Sequence, residues 1–233
     1  TVNLTNRTNK NLIINGAMQV AQRGTSSTVS GYGTVDRFRV QYSNTDEAPT
    51  QEQVDVASGT TPYTLGFRKA LRITNGNQTS GAGTSDAIHF QYYAESQDIA
   101  NSGWNYTSSS SFVTFSFWIK SSVAQNFQGR VRTRDGTSQN YAFETGSLSA
   151  DTWTKITKTI PGNSNLQFDN NNAVGLQLLI TPFYGTDYTN DRAVDTWTTF
   201  VSSNYFPDMA STWLTAGAST FDLTGVQLEV GSV

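Results

Sequence analysis

The stretch Ser219 to Val233, STFDLTGVQLEVGSV, alternates apolar and polar residues but changes phase midway. Phe221 and Leu223 share one parity, while Val226, Leu228 and Val230 share the other. Side chains alternate across a strand with period two, so one strand cannot hold both sets on one core face without an inserted residue. Thr224-Gly225 is the predicted site of that insertion, a β-bulge or sharp bend. A strand that bends in this way suits a curved β-sandwich.

The same alternation runs upstream. Leu12, Ile14, Met18 and Val20 share a parity, as do Phe38, Val40 and Tyr42, then Leu71 and Ile73, then Ile88, Phe90 and Tyr92. Val113, Phe115, Phe117 and Ile119 form the clearest inward face, and Val174, Leu176, Leu178 and Ile180 the second clearest. Each set reads as a half-buried strand. Turn signals separate them, among them Ser30-Gly31, Asn75-Gly76, Asp135-Gly136, Pro161-Gly162-Asn163 and Ala216-Gly217. Only Ala94 to Asn101, AESQDIAN, suggests a short helix or turn. Strands without intervening helices predict an all-β, antiparallel sandwich rather than βαβ units. Residues 163–172, NSNLQFDNNN, read as a surface loop too polar to bury. The expected division is a connector over residues 1–11 and one sandwich domain over 12–233.

Composition narrows the function. Of 233 residues, 36% are hydrophobic and 14% charged, and Ser, Thr, Asn, Gln and 19 Gly fill the difference, as many short strands with polar turns require. The net charge of −3 and pI near 5.1 argue against broad nucleic-acid binding. No Cys is present, which excludes disulfides, thiol catalysis and Cys-ligated metals. No apolar run approaches the roughly 20 residues of a membrane helix, so no membrane insertion is expected.

Catalytic signals are weak. The single His89 has parity opposite to Ile88 and Phe90 and points away from the core, no GxSxG elbow accompanies it, and a structural or surface role is expected. Glu95 with Asp98 and Asp46 with Glu47 are close in sequence, but nothing marks them as a hydrolase pair. Asp187, Asp191 and Asp195 recur every four residues, unlike the alternate spacing of calcium loops, and read as a solvated loop. No catalytic residue, metal ligand or cofactor is therefore assigned.

Binding signals are stronger. Aromatic rings can stack on the apolar faces of sugars while amides and hydroxyls take the sugar hydroxyls. Trp104 and Tyr106 lie beside a Ser run; Tyr184, Tyr188 and Trp197 flank the Asp-rich loop; Tyr205 and Trp213 precede the final strand. The long 183–215 region is where exposed rings are expected, because long loops often carry function. Packing within the sandwich or between subunits is the alternative for each. Arg130, Arg132 and Arg134 alternate in GRVRTRDG and project from one strand face. They form a solvated outer face with Glu144 as one candidate partner, or a patch for an acidic polysaccharide or a neighbouring protein.

Several segments in order carry a resemblance: Asn11 to Gly24, NLIINGAMQVAQRG; Asp36-Arg37-Phe38; Tyr92 to Trp104, YYAESQDIANSGW; Ser116 to Ser122, SFWIKSS; Trp153 to Pro161, WTKITKTIP; and the closing FDLTGVQLEVGSV. Together they resemble a domain common in tail-fibre and appendage proteins of tailed bacteriophages, whose jelly roll is similar to that of carbohydrate-binding modules. NLIINGAMQVAQRG would be its first strand. The resemblance implies a non-enzymatic virion appendage, trimeric, assembled in the bacterial cytoplasm and exposed outside, contacting other virion proteins and a host surface polysaccharide. A capsid-decoration, connector or collar component without ligand is the structural rival, and a polysaccharide depolymerase the enzymatic one. Related sugar-binding jelly rolls often carry a structural calcium between first and last strands. Here Gln19 stands where an acidic residue would help and Glu229 is the remaining contributor, so that site has no support.

Overall fold

The computed structural model describes residues 11–232. Of the connector expected over residues 1–11, residues 1–10 lie outside the described residues. The chain forms β1 (Ser26–Ser27), β2 (Phe38–Ser43), β3 (Thr50–Asp55), α1 (Thr61–Thr64), β4 (Lys69–Thr74), β5 (Ala87–Glu95), α2 (Ser96–Ala100), β6 (Phe112–Ser121), β7 (Asn126–Thr133), β8 (Gln139–Ser147), β9 (Thr154–Pro161), β10 (Val174–Tyr184), β11 (Thr196–Thr199), α3 (Thr212–Thr215) and β12 (Thr220–Val230). The strands pair antiparallel in two six-stranded sheets. Sheet A has the order β1-β3-β4-β12-β6-β9 and sheet B the order β11-β8-β7-β10-β5-β2. The fold is an antiparallel jelly-roll β-sandwich.

The inward parities meet between the sheets. Phe115 and Phe117 of sheet A lie 6.0 and 6.3 Å from the Phe143 ring of sheet B. Phe221 of β12 lies 5.9 Å from Phe90 and 4.7 Å from Phe127. These rings are fully buried, and each contributes about 2–3 kcal/mol through its burial alone.

β12 bends where its sequence changes phase. Its pairing with β6 shifts register between Thr224 and Gln227, and Gly225 has φ +60°. A Cβ at Gly225 would stand 2.8 Å from the Phe67 ring, so both conformation and space require glycine. Before the bulge β12 pairs with β4, from Thr220 to Leu223. Beyond it the strand pairs with the entering chain: Val226 N donates to Gly16 O and Leu12 N to Leu228 O, both at 2.9 Å. Asn11 Oδ1 accepts from Leu228 N at 3.0 Å.

That entering chain departs from expectation. Residues 11–25 form no strand but a series of turns. Asn15 and Met18 have φ of +61° and +58°, which breaks the alternation, so Ile13 and Met18 are buried while Ile14 and Val20 are exposed. Gly16 passes so close to Val226 O that any side chain would collide with it. The loop at 163–172 is also less polar than its sequence suggests. Leu166 and Phe168 are buried, and Phe168 packs 4.9 Å from Tyr106.

Candidate ligand-binding face

The outer face of sheet B is built from the residues of opposite parity to the core. Register places them in rows across the strands. One row runs Tyr93, Gln177, Arg132, Asn140 and Thr198 over β5, β10, β7, β8 and β11. The next runs Arg39, Gln91, Leu179, Arg130 and Ala142 over β2, β5, β10, β7 and β8. An outer face that met only water would leave such polar atoms solvated. Instead Gln91, Gln177, Arg130 and Asn140 are at most 4% exposed. Gln91 Oε1, Gln177 Oε1, Asn140 Oδ1, Arg39 Nε, and Arg130 Nε and Nη1 have no hydrogen-bond partner among the described residues. Buried polar groups are nearly always partnered, so a concentration of exceptions on one face is informative.

Half of this face is covered by the protein's own 185–210 segment. Its Phe206 packs on Tyr184, Leu179, Ala142 and Ala87 as a second small apolar cluster, outside the main core. Tyr205 stacks on Tyr188 at 5.6 Å and on Arg130, whose Cζ lies 4.1 Å from the Tyr205 ring centre. Arg192 fastens the segment by donating to Asn204 O at 2.8 Å and Thr199 O at 2.9 Å. His89 is enclosed here, its Nδ1 hydrogen-bonded to the Tyr184 hydroxyl at 2.9 Å. Burial, then the charges of Arg130 and Arg39, hold the His89 pKa down to about 3, so the imidazole is neutral at pH 7.

The other half is open. Gly31 and Val40 exchange backbone hydrogen bonds, which set Tyr32 beside β2. Arg39 Cζ lies 5.2 Å from the Tyr32 ring centre and 5.4 Å from that of Tyr93. A cavity of about 400 Å³ opens at this end, walled by Arg23, Tyr32, Asp36, Arg37, Tyr93 and Glu95 among others. Arg37 has φ +71°, a left-handed conformation that costs a non-glycine residue on the order of 1 kcal/mol. Tyr32 is 41% exposed, and burial of its other part raises its pKa, so it stays a neutral phenol. An exposed ring, a second ring across a guanidinium, and polar side chains on the wall can grip a polar, flat-faced ligand.

The structure redistributes the residues singled out from sequence. Tyr184, Tyr188 and Tyr205 do converge with Arg130 and Arg132, but Tyr184 is only 5% exposed and the group forms the cover rather than a free surface. Trp213 is fully buried against Phe221, with Nε1 donating to Thr220 O at 3.0 Å. Trp104 is 4% exposed and packs with Tyr106 and Phe168 on another part of the molecule. Trp197 is half-buried on Tyr141, its Nε1 donating to Pro161 O at 2.7 Å. The exposure expected of Trp104, Tyr184 and Trp213 is thus corrected: each ring fills a packing site that loop length does not reveal. The Arg stripe also needs correction as an evenly solvated face. Arg130 is buried, Arg132 half-buried over Phe200 with Cζ at 3.3 Å, and Arg134 exposed. Glu144 pairs in register with Gln128, not with an Arg of the stripe. Sequence reasoning missed Tyr32, Arg39, Gln91, Tyr93 and Gln177. Their signal was present in β5, where His89, Gln91 and Tyr93 share the outward parity.

Among the described residues, no three His, Asp or Glu side chains group together to hold a metal ion. Asp195 instead pairs with Lys158 at 3.0 Å.

No protein-family model and no curated protein matches this sequence. Solved structures do. The enzymatically active domain of tailspike protein 4 from bacteriophage CBA120 superposes with a TM-score of 0.51 at 10% identity, over 95% of this chain and 21% of that one. The chain therefore spans about a fifth of the length of that solved domain. An N-terminal cellulose-binding domain of a Cellulomonas fimi β-1,4-glucanase gives 0.43 at 10% identity, over 92% and 99% of the two chains. A putative sugar-binding protein from Bacteroides thetaiotaomicron gives 0.47 at 9% identity, over 95% and 100%. At such identities the likeness is one of fold.

Proposed function

We propose that this domain recognises a cell-surface glycan through the open half of the outer face of sheet B, as a non-enzymatic part of a phage virion appendage of the tail-fibre kind. One observation carries the reading: Tyr93 and Tyr32 border an open cavity of about 400 Å³ at the end of a face rich in amides and arginines. The tyrosine rings offer flat apolar surface to a pyranose, and Gln22, Glu95 and Asn172 on the cavity wall offer polar atoms to its hydroxyls. The appendage assignment draws on the sequence resemblance, from the entering NLIINGAMQ to the closing GVQLEVGSV. Trimeric assembly and a place on the virion exterior follow from the same resemblance. Multivalency gives trimerisation its use, since linked weak sites gain roughly 10²–10⁴ in avidity.

The test is binding of the purified, fluorescently labelled chain to candidate host cells, with mass measured by light scattering in the same preparation. Saturable binding, competed by the host's surface polysaccharide, is expected. Tyr32→Ala and Tyr93→Ala should each weaken it at least about tenfold, a loss of about 1.4 kcal/mol, with the melting temperature held within about 2 °C. A folded trimer that binds no cell and no glycan would instead favour a decoration, connector or collar role.

A depolymerase is the second reading, because Asp36 and Glu95 line the same cavity. Both carboxylates are engaged: Asp36 lies 3.6 Å from Arg23 and accepts from Gln22 N at 3.2 Å, and Glu95 accepts from Gln97 Nε2 at 2.7 Å. Each carboxylate already has a partner within the chain. Release of reducing ends from a bound polysaccharide, abolished by Asp36→Asn or Glu95→Gln, would establish the enzymatic reading.

A further inference from the structure

The outer face of sheet B gathers cations and leaves them without counter-charges. Arg39 on β2, Arg130 and Arg132 on β7, and Arg134 just beyond it all belong to this face, and Arg37 opens the cavity at its end. Among the described residues, ion pairs engage Arg23, Lys69, Arg72, Lys120 and Lys158. None of the five arginines of the face lies within ion-pair distance of a carboxylate of the described residues. The two nearby carboxylates, Asp36 and Glu95, are held by Arg23 and Gln97.

A guanidinium out of water without an anion is costly, and here several stand together in a chain of net charge −3. Arg130 is 3% exposed with two unpartnered nitrogens. Arg39 Nε is buried and unpartnered. Arg132 gives Nε to Ser138 Oγ at 2.9 Å and has no carboxylate for the rest of its fork. Crowding is visible in its titration as well: burial, then Arg134 and Arg130, lower the Arg132 pKa to about 10. Rings flank the charges from outside, Tyr32 and Tyr93 at Arg39 and Phe200 at Arg132, which fixes both forks in place.

We infer that the glycan taken by this face is anionic, its carboxylate or phosphate group seated between Arg39 and Arg132 above Gln91 and Gln177. The inference rests on the glycan-binding reading and deepens it to a ligand class. Arg39 and Arg132 stand on strands separated by β5 and β10 and two residues apart in register, which places their backbones about 16 Å apart at a strand spacing of about 4.8 Å and a rise of about 3.3 Å per residue. Long side chains reaching inward from both sides leave room for one charged sugar unit. Arg is the residue suited to this task, because its planar fork meets a carboxylate or phosphate with two parallel hydrogen bonds. The buried amides beneath and Arg130, sealed under Tyr205, contribute polarity and charge without contact.

The test pairs polymers that differ only in charge. Binding of the full chain is measured to polygalacturonate and to the same polymer after carboxyl reduction, to polysialic acid, to polyribitol phosphate, and to neutral dextran and xylan. Binding to at least one anionic polymer is expected, with at least about tenfold weakening between 50 and 300 mM salt. Arg39→Gln and Arg132→Gln should each weaken it at least tenfold, whereas Arg68→Gln, beside α1, should leave it unchanged. Carboxyl reduction should abolish the polygalacturonate signal if carboxylate is the group read; a signal confined to polyribitol phosphate assigns phosphate instead. Each variant is checked by its melting curve, and Arg39→Lys serves as a charge-preserving control that should lose less than Arg39→Gln. Salt-independent binding to dextran or xylan, unaffected by Arg39→Gln and Arg132→Gln, would overturn the anionic inference and leave glycan recognition standing. Failure to bind any of these polymers or any host cell would overturn both.

Discussion

The two outer faces of the sandwich solve the same geometric problem with opposite chemistry. On sheet A, Glu52, Arg72, Asp222 and Lys120 stand in one row across β3, β4, β12 and β6, alternating in sign. Asp222 is 1% exposed and accepts from Arg72 Nε at 2.7 Å and Nη2 at 2.8 Å, with Lys120 Nζ at 3.1 Å. On sheet B the corresponding rows carry arginines, amides and a tyrosine, with no carboxylate among Arg39, Gln91, Leu179 and Arg130. Cross-strand neighbours of opposite charge stabilise a sheet, and neighbours of like charge do not. Sheet A has therefore satisfied its charges internally. Sheet B has no such internal balance among the described residues.

The sharpest way to break this comparison is to remove the balance from sheet A. Asp222→Asn keeps the shape but takes away the negative charge between two partly buried cations. Removing one partner of a buried ion pair costs about 3–5 kcal/mol, and the one-quarter exposure of Arg72 and Lys120 puts the expected loss near 3 kcal/mol. Urea unfolding should show it as a lower midpoint with an unchanged slope. A loss below about 1 kcal/mol would mean that the row is ornamental and that the two faces differ less than their geometry suggests. Glycan binding should be unaffected, because the row lies on the opposite side of the sandwich.

How far this contrast could be read from sequence depends on which layer made each part. The phase change around Thr224-Gly225 is a local property of one strand, and the bulge is there. The inward parities of β6 and β10 are equally local, and both strands bury the expected residues. The entering segment was misread because Asn15 and Met18 adopt left-handed conformations, which no apolar pattern announces. The covered half of sheet B was misread for a different reason. Whether Tyr205 lies in solvent or over Arg130 depends on where a loop of more than twenty residues folds back, a tertiary fact. The open half was legible in principle. Arg39, Gln91 and Tyr93 have the outward parity of strands whose inward parity was plain, and functional rings were sought in long loops instead. The lesson for such sandwiches is that the residues opposite in phase to the core carry as much information as the core.

His89 sharpens the comparison through pH. Its neutral state is enforced by burial and by the uncompensated charges of Arg130 and Arg39, so it reports the field of the sheet B face. The unfolded chain takes up a proton near pH 6.5, whereas the folded chain resists it down to about pH 3. The unfolded state thus binds more protons throughout that window, and stability falls as pH falls. From pH 7 to pH 5 the loss from this one group should be about 2 kcal/mol, since each pKa unit is worth 1.36 kcal/mol. His89→Gln should remove that part of the pH dependence, so the difference in stability between the parent and the variant should shift by about 2 kcal/mol across the interval. Parallel pH profiles for the two proteins would show that the field at His89 is weaker than the arrangement of arginines implies.

The smallest expected effect runs in the opposite direction to Asp222→Asn, which makes it the most discriminating. Arg130→Met keeps an unbranched stem under Tyr205 but removes a buried cation that has no carboxylate partner. The guanidinium loses its stacking on Tyr205 and Phe206, an interaction of up to about 2 kcal/mol for a desolvated cation. Against this stands the release of an unpaired charge from a site that is 3% exposed, a penalty of several kcal/mol. The second term is larger, so the variant should be more stable by about 1 kcal/mol, measured by the same urea titration. Its affinity for an anionic polymer should fall several-fold, because the charge beneath the floor is gone while Arg39 and Arg132 remain. A variant that gains stability and loses binding would mark Arg130 as a residue kept for its field at the expense of the fold. A variant that loses both would place Arg130 with Asp222, as part of the framework, and the contrast between the two faces would then rest on Arg39 and Arg132 alone.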